Sequence, residues 1–514
     1  MPIVQQGAIN TTALIVPDLY VQIVSPQTLL LNGVPTDVLG VVGTSSWGPV
    51  GEPTIVGTMG DYAASFGPII PRKYDLGTQV GTAVQQGAGN FVCVRVTDGS
   101  DTAAFLTVLG SALFTALYTG SYGNNLSLVF SVGSAANSWR LTVAMPGVNP
   151  EIYDNIAGNE TIFWGNVVNA VNNGNGPLRG SSQLIVATNL GGASAIVAGT
   201  YSFSSGSPGT DGATSVRAAT LIGVDTLPRR GMYALRSQGC SIGLLADADD
   251  ATQWSTQVTF GLSESIYMIM TGPAGDDIAN AVTMIAEAGV DSYAAKLMFG
   301  DWVYWYDQAN ALTRLVSPQG FVAGRLGNLS PEQSSLNKPL YGVIGTQKSG
   351  QPGSGTATTY ASADLQALLG AGIDVITNPQ PGGAYWGVRG GFNTSSNIAT
   401  NGDNYTRLTN YIANTLASGM GAYVGQIVNS TLFQNIRSTL LAFLNGLLSQ
   451  GMLGSTNGEV PFTVVCNDTN NPPSRTALGY VQADVQVQYQ AINEKFIVNV
   501  QGGQTVQVSV QPLL

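Results

Sequence analysis

The stretch SIGLLADADDATQWSTQVTFGLSESIYMIM, residues 241–270, decides the fold. Ser241 to Ala246 is a short apolar run of strand length, and Ile266 to Met270 repeats it after the helix-length segment Thr252 to Glu264. Two strands joined through a helix need a crossover connection, so they lie parallel. Asp276 to Ala288 continues the rhythm as a helix with Ile278, Val282 and Ile285 on one face, and Gly289 stands where a helix ends. The same alternation appears near the start of the chain. Val38 to Gly43 and Phe91 to Val96 read as strands, and Leu76, Val80, Ala83 and Val84 keep helical spacing. Thr58 with Asp61 three residues on forms a capping box for a helix through Phe66. The fold class is α/β, α+β overall, in several domains.

Outward from this core the texture changes twice. Between 105 and 215 Gly, Ser and Asn dominate, with alternating runs at Leu126 to Val132, Trp139 to Val143, Gln183 to Ala187 and Ile196 to Phe203. This predicts a β-rich insertion, with one helix over Asp154 to Val171. After residue 400, Asp403 or Asn404 caps a helix carrying Leu408, Tyr411, Ile412 and Leu416, closed by Gly419. A second helix has Leu432, Ile436, Leu440, Phe443 and Leu447 in a core-facing stripe and ends at Gly451. Strand runs follow: Val481, Ala483, Val485, Val487 and Tyr489 alternating with polar residues, then Phe496 to Val500, then Val506, Val508 and Val510 after Gly502-Gly503. Residues 1–24 read as an extended arm with a short strand at Val21 to Val24. The expected domains are that arm, an α/β core with parallel and mixed sheets (25–104 with 216–395), the β-rich insertion (105–215), a C-terminal helix-plus-strand domain (396–490) and a C-terminal arm (491–514).

Composition narrows the chemistry. The 514 residues carry 19 Lys plus Arg against 30 Asp plus Glu, a net charge of −11, and charged residues are only 10% of the chain. A surface this poor in charge favours association, and its sign argues against nucleic acid or an anionic membrane as a partner. Histidine is absent, which removes imidazole general bases and His-ligated metal sites. Three separated cysteines, Cys93, Cys240 and Cys466, suggest neither a disulfide framework nor a metal cluster. The N-terminus lacks the basic and apolar regions of a signal peptide, and no apolar run reaches the length of a membrane span. The segment Gly342 to Ser349 has Gln347 where a phosphate loop needs glycine. Asp247, Asp249 and Asp250 at a strand-to-helix junction could hold a hard cation but suit helix capping better. Trp302, Tyr304, Trp305 and Tyr306, flanked by Asp301 and Asp307, suit packing better than a sugar platform. No catalytic, cofactor or metal residue is nominated.

Specific strings carry a resemblance. Pro17-Asp18-Leu19-Tyr20-Val21, then Val41-Val42-Gly43-Thr44, Trp47-Gly48-Pro49, Phe66-Gly67-Pro68, Gly87-Ala88 and Val94-Arg95-Val96 are similar to the start of bacteriophage contractile tail sheath proteins. Ser317 to Gly324, read as a small-residue turn before an Ala-Gly helix start, resembles the same family, and so does Tyr385-Trp386-Gly387-Val388-Arg389. Val388 and Gly390-Gly391 depart from its usual Ala and Thr. Asn404-Tyr405, Arg407, Phe433, Ile436, Gly451, Phe462, Cys466-Asn467, Gly479 and Glu494-Lys495-Phe496-Ile497 complete the match, in order, over most of 17–100 and 216–500. The resemblance implies a structural subunit and no enzyme. Six-membered rings would stack helically around a tail tube, with baseplate and tail terminator proteins as further partners, without cofactor, nucleic-acid contact or membrane insertion. Its place would be the virion, after assembly in the host cytoplasm. A related contractile injection system, secretion apparatus or bacteriocin particle is the alternative. The family's arms pair with strands of neighbouring subunits. That role falls here on Tyr20, Val21 and Ile23 of the N-terminal arm and on Val485, Val487, Tyr489, Phe496, Ile497, Val498, Val506, Val508 and Val510 toward the C-terminus. The insertion is expected to face outward, and one C-terminal helix to face the tube.

Overall fold

The computed structural model describes residues 31–176, 179–351, 353–354, 358–498 and 500, together with the backbone of 3–6 and 20–23. Its centre is a seven-stranded sheet in the order Ile373–Asp374, Ala295–Met298, Tyr267–Thr271, Ile242–Leu245, Leu39–Gly43, Phe91–Arg95 and Pro53–Val56. All neighbours are parallel except the edge strand Pro53–Val56. Five inner strands are buried along their whole length, because helices cover both faces. Successive side chains alternate between two apolar layers. Val42, Val94, Leu245, Met268 and Leu297 face Trp254–Glu264 and Ile278–Glu287. Val41, Cys93, Leu244, Tyr267 and Ile269 face Met59–Phe66, Leu76–Gln85 and Gln319–Gly327.

The local signals act as read at Thr58, whose hydroxyl and Asp61 form the reciprocal cap. The Ser317 to Gly324 string differs from its reading, because Ala323 and Gly324 lie within the helix Gln319–Gly327 and not at its start. There the glycine has a packing reason. A Cβ on Gly324 would sit 2.5 Å from the Ala83 Cα, so the two helices touch backbone to backbone.

The insertion holds a four-stranded antiparallel sheet (Glu151–Ala157, Ser138–Ala144, Ser127–Val132, Gly199–Ser202) and a three-stranded one (Ile185–Asn189, Ala112–Ala116, Phe105–Val108). The helix inside it is Glu160–Asn173, not Asp154 to Val171. Residues 151–157 alternate buried and exposed along a strand, and Asn159 occupies the N-cap. This unit has its own apolar cluster around Phe130, Phe163 and Trp164. It is tied to the central sheet by Arg95, which is inaccessible to solvent. The Arg95 guanidinium donates to the carbonyls of Gly48 (2.8 Å), Thr119 (2.7 Å) and Asp211 (3.3 Å), and Trp47 meets Tyr118 edge-on.

Residues 31–36, inside the 25–104 stretch expected in the α/β core, run along the helix Asp403–Gly419. Val34 N–H donates to Thr415 Oγ1 at 3.2 Å, and the Thr36 carbonyl accepts from Arg407.

One buried carboxylate sets a pH dependence. Asp75 caps Leu76–Gln85 by accepting from Thr78 N–H and Oγ1 through Oδ2, while Oδ1 has no partner. Burial pushes its pKa up to about 7. The folded state therefore holds a proton that the unfolded chain releases near pH 4. Stability is complete below that value and falls as pH rises to about 7, by up to ~1.4 kcal/mol per pH unit. Asp247, also raised by burial, adds in the same direction. Asp75→Asn is expected to flatten the fall in melting temperature between pH 5 and 7; an unchanged slope would refute this assignment.

Candidate subunit interface

The C-terminal unit begins with the helix Asp403–Gly419. Asp403 is not the N-cap expected from the sequence, because Gly402 occupies that position. Its carboxylate turns into the protein and meets Lys296, which sits on the central strand Ala295–Met298. The Lys296 ammonium lies 2.6 Å from Asp374 and 3.1 Å from Asp403, and all three side chains are inaccessible to solvent. It also donates to the Phe392 carbonyl at 2.8 Å. Asp403 accepts further from Tyr267 Oη (2.6 Å), Ser335 N–H (3.1 Å) and Ser335 Oγ. Asp374 accepts from the N–H groups of Val375, Gly390, Gly391 and Phe392. Burial alone would lower the Lys296 pKa, but the two carboxylates outweigh it and hold the ammonium above its usual value. Burial alone would raise Asp403, but Lys296, Ser335 and Tyr267 hold it below the usual carboxylate range. This cluster fastens the C-terminal unit to the central sheet.

Removing one member of a buried pair leaves the other charge without compensation, at a cost of about 3–5 kcal/mol. Lys296→Met strands two adjacent carboxylates, whereas Asp403→Asn leaves Lys296 still paired with Asp374. Urea denaturation should therefore rank Lys296→Met below Asp403→Asn and both well below the parent chain. The reverse order would contradict the cluster's electrostatic role.

The second helix, Ser430–Ser449, buries Leu432, Ile436, Leu440, Phe443 and Leu447, the stripe expected from their spacing, and Gly451 follows in a left-handed conformation. On it lies a two-stranded antiparallel sheet of Phe462–Val465 and Asp484–Val487. Phe462 and Val464 face the helix, with Val485 and Val487 half-buried beside them. Among the described residues each strand has one neighbour and one open edge. Two strands alone are marginal, and open edges pair readily with further strands.

Beyond this sheet the chain is held at Tyr489 and Gln490. The Tyr489 ring packs on Tyr405, its hydroxyl lies 3.1 Å from Thr409 Oγ1, and the Gln490 carbonyl accepts from Asn404 Nδ2 at 3.1 Å. Residues 491–498 form no strand, contrary to the run expected at Phe496 to Val500. Phe496, Ile497, Val498 and Val500 are exposed by 82%, 81%, 62% and 87%. Contiguous exposed apolar surface of this kind is a general feature of interaction sites.

The residues assigned to strand exchange thus fall into distinct places. Val485 and Val487 lie on the platform, Tyr489 at the root of the tail, and Phe496, Ile497 and Val498 on the exposed tail. Val506, Val508 and Val510 lie outside the described residues. Tyr20, Val21 and Ile23 belong to the strand Tyr20–Ile23, which pairs in parallel with Ile3–Gln6 of the same chain. The sequence reading missed Lys296 and Asp374. Their signal was a lysine inside the apolar run Ala294 to Met298, a charge that a covered strand tolerates only with a partner.

The other candidates have structural partners. Asp247 accepts from Tyr74 N–H and Gln79, Asp249 pairs with Lys73, and Asp250 caps Thr252. Asp301 accepts from Tyr360 Oη and Lys348 N–H, and Asp307 pairs with Arg314. Trp302 and Trp305 are buried. The Gly342 to Ser349 segment contains the strand Val343–Thr346. Among the described residues no three acidic or cysteine side chains are grouped for a metal, and no helix is long and apolar enough to cross a membrane.

Neither a protein-family model nor a curated protein sequence matches the chain. Solved structures do. A sheath tail protein of Desulfitobacterium hafniense is similar with TM-score 0.58 and 17% identity, covering 86% of this chain and 91% of that one. A sheath tail protein of Listeria innocua gives TM-score 0.58 and 14% identity over 85% and 90%. The contracted sheath of an extracellular contractile injection system, PVC, gives TM-score 0.55 and 12% identity over 96% and 99%. At these identities the likeness is one of architecture, and it spans nearly the full length of each partner. The chain has the fold of contractile tail sheath proteins.

Proposed function

We propose that the chain is the structural subunit of a phage contractile tail sheath, without a bond-making centre. Copies associate head to tail, and a rotation that does not close on itself builds a helical stack of six-membered rings around a tail tube. The stack then shortens and drives the tube through a host envelope. Baseplate and terminator proteins cap its ends, and the particle is the virion, assembled in host cytoplasm. The observation that carries this reading is the open-edged C-terminal sheet followed at once by an exposed apolar tail. The tail of one copy adds a strand to the sheet of the next, which is β-augmentation. The N-terminal strand with Tyr20, Val21 and Ile23 adds another. The insertion takes the outer surface, and the uncharged face of Ser430–Ser449 with Gln434, Ser438 and Asn445 is the side offered to the tube.

The sheath of a non-phage injection system is the second reading, favoured by the 96% and 99% coverage against the PVC sheath. Capsid and portal genes beside this one separate the two.

Purified full-length protein should form tubes or ring stacks in electron micrographs as concentration rises. Deleting 502–514 should leave a folded monomer and abolish them. Normal tubes from the truncated chain would refute the arm mechanism.

A further inference from the structure

We propose that the first turn of the helix Asp403–Gly419 is the mechanical anchor that couples the C-terminal tail to the central sheet; this rests on the sheath reading, in which the tail is held by a neighbour and pulled when subunits move. The tail's root is held to that turn by consecutive residues. Asn404 Nδ2 donates to the Gln490 carbonyl, and Tyr405 packs edge-on against Tyr489 at 5.7 Å. The same turn is fixed to the sheet by the same or adjacent residues. Asp403 pairs with Lys296, Tyr405 packs against Tyr293 at 5.8 Å, and Thr406 Oγ1 donates to the Tyr293 carbonyl at 2.6 Å. These three contacts converge on the four residues 293–296, at the start of the strand Ala295–Met298, and Tyr267 and Ser335 hold the Asp403 carboxylate in place beside them. Tension arriving at Gln490 therefore passes through about one helical turn into a strand with neighbours on both sides.

The geometry has an order that a merely stabilising cluster would lack. Asn404 touches the tail and leaves the inner contacts alone. Asp403 touches the sheet and carries the whole turn with it. The Asn404→Ala chain should loosen the root only. The Asp403→Asn chain should loosen the turn and the root together.

Amide hydrogen exchange on the unassembled full-length chain tests this. In Asn404→Ala, amides of 488–490 should exchange at least tenfold faster, with 406–419 unchanged. In Asp403→Asn, both segments should accelerate by that factor, while Tyr267–Thr271 keeps its protection. Ser335→Ala, which retains the charge and removes one hydrogen bond, should give the second pattern at smaller amplitude. Asp247→Asn, a buried carboxylate away from this path, should leave 403–490 unaffected. Uniform acceleration through the central sheet in Asp403→Asn, or an undisturbed 488–490 segment, would overturn the proposal. The sheath reading is judged separately by whether the parent chain forms tubes. Where it does, Asp403→Asn tubes should shear to less than half the parent's length, and equal lengths would overturn the anchor.

Discussion

A lysine ammonium with no access to water lies between two carboxylates from parts of the chain distant in sequence. Lys296 comes from the strand next to the edge of the central sheet, Asp374 from the edge strand itself, and Asp403 from the first turn of the C-terminal helix. Burying three charged groups costs several kcal/mol each unless every one is compensated. Here Asp403 also accepts from Tyr267 and Ser335, Asp374 from the N–H groups of residues 390–392, and Lys296 also donates to the Phe392 carbonyl. The cluster therefore tolerates one arrangement only, and that arrangement fixes where the C-terminal unit sits on the core. The 31–36 segment, strapped to the same helix, adds to this attachment.

The C-terminal segment follows the opposite rule. Among the described residues its sheet has two strands, and beyond Gln490 the side chains of Phe496, Ile497, Val498 and Val500 are exposed. In the proposed assembly a neighbouring copy would bury that surface. The scarcity of charge elsewhere agrees, since closely packed copies have few ionised groups to desolvate. In the proposed sheath such exposed segments would tether neighbouring copies, because a tether keeps the local concentration of its partner high.

Much of this was legible in the sequence, and for identifiable reasons. The parallel strands declare themselves as unbroken apolar runs, because both faces are covered. Thr58 with Asp61, and Leu432 through Leu447, are local signals that tertiary context left alone. The failures are equally physical. Asp403 resembles a helix cap, and only the lysine opposite shows that it faces inward. Asp154 carries no mark distinguishing a polar strand residue from a helical one. Phe496 to Val500 is β-rich in composition, yet its described residues form no strand, because a strand needs a partner that composition does not name. A residue's identity reports its local preference, whereas pairing across more than a hundred residues, or across chains, is set by what the fold brings together.

The account stands on the tail leaving its own body. Cryo-electron microscopy of assembled tubes, at a resolution that traces the backbone, tests this directly. It should show residues 491–514 as an added strand on the Phe462–Val465 and Asp484–Val487 sheet of an adjacent copy. Density that returns the tail to the sheet of its own subunit would contradict the account.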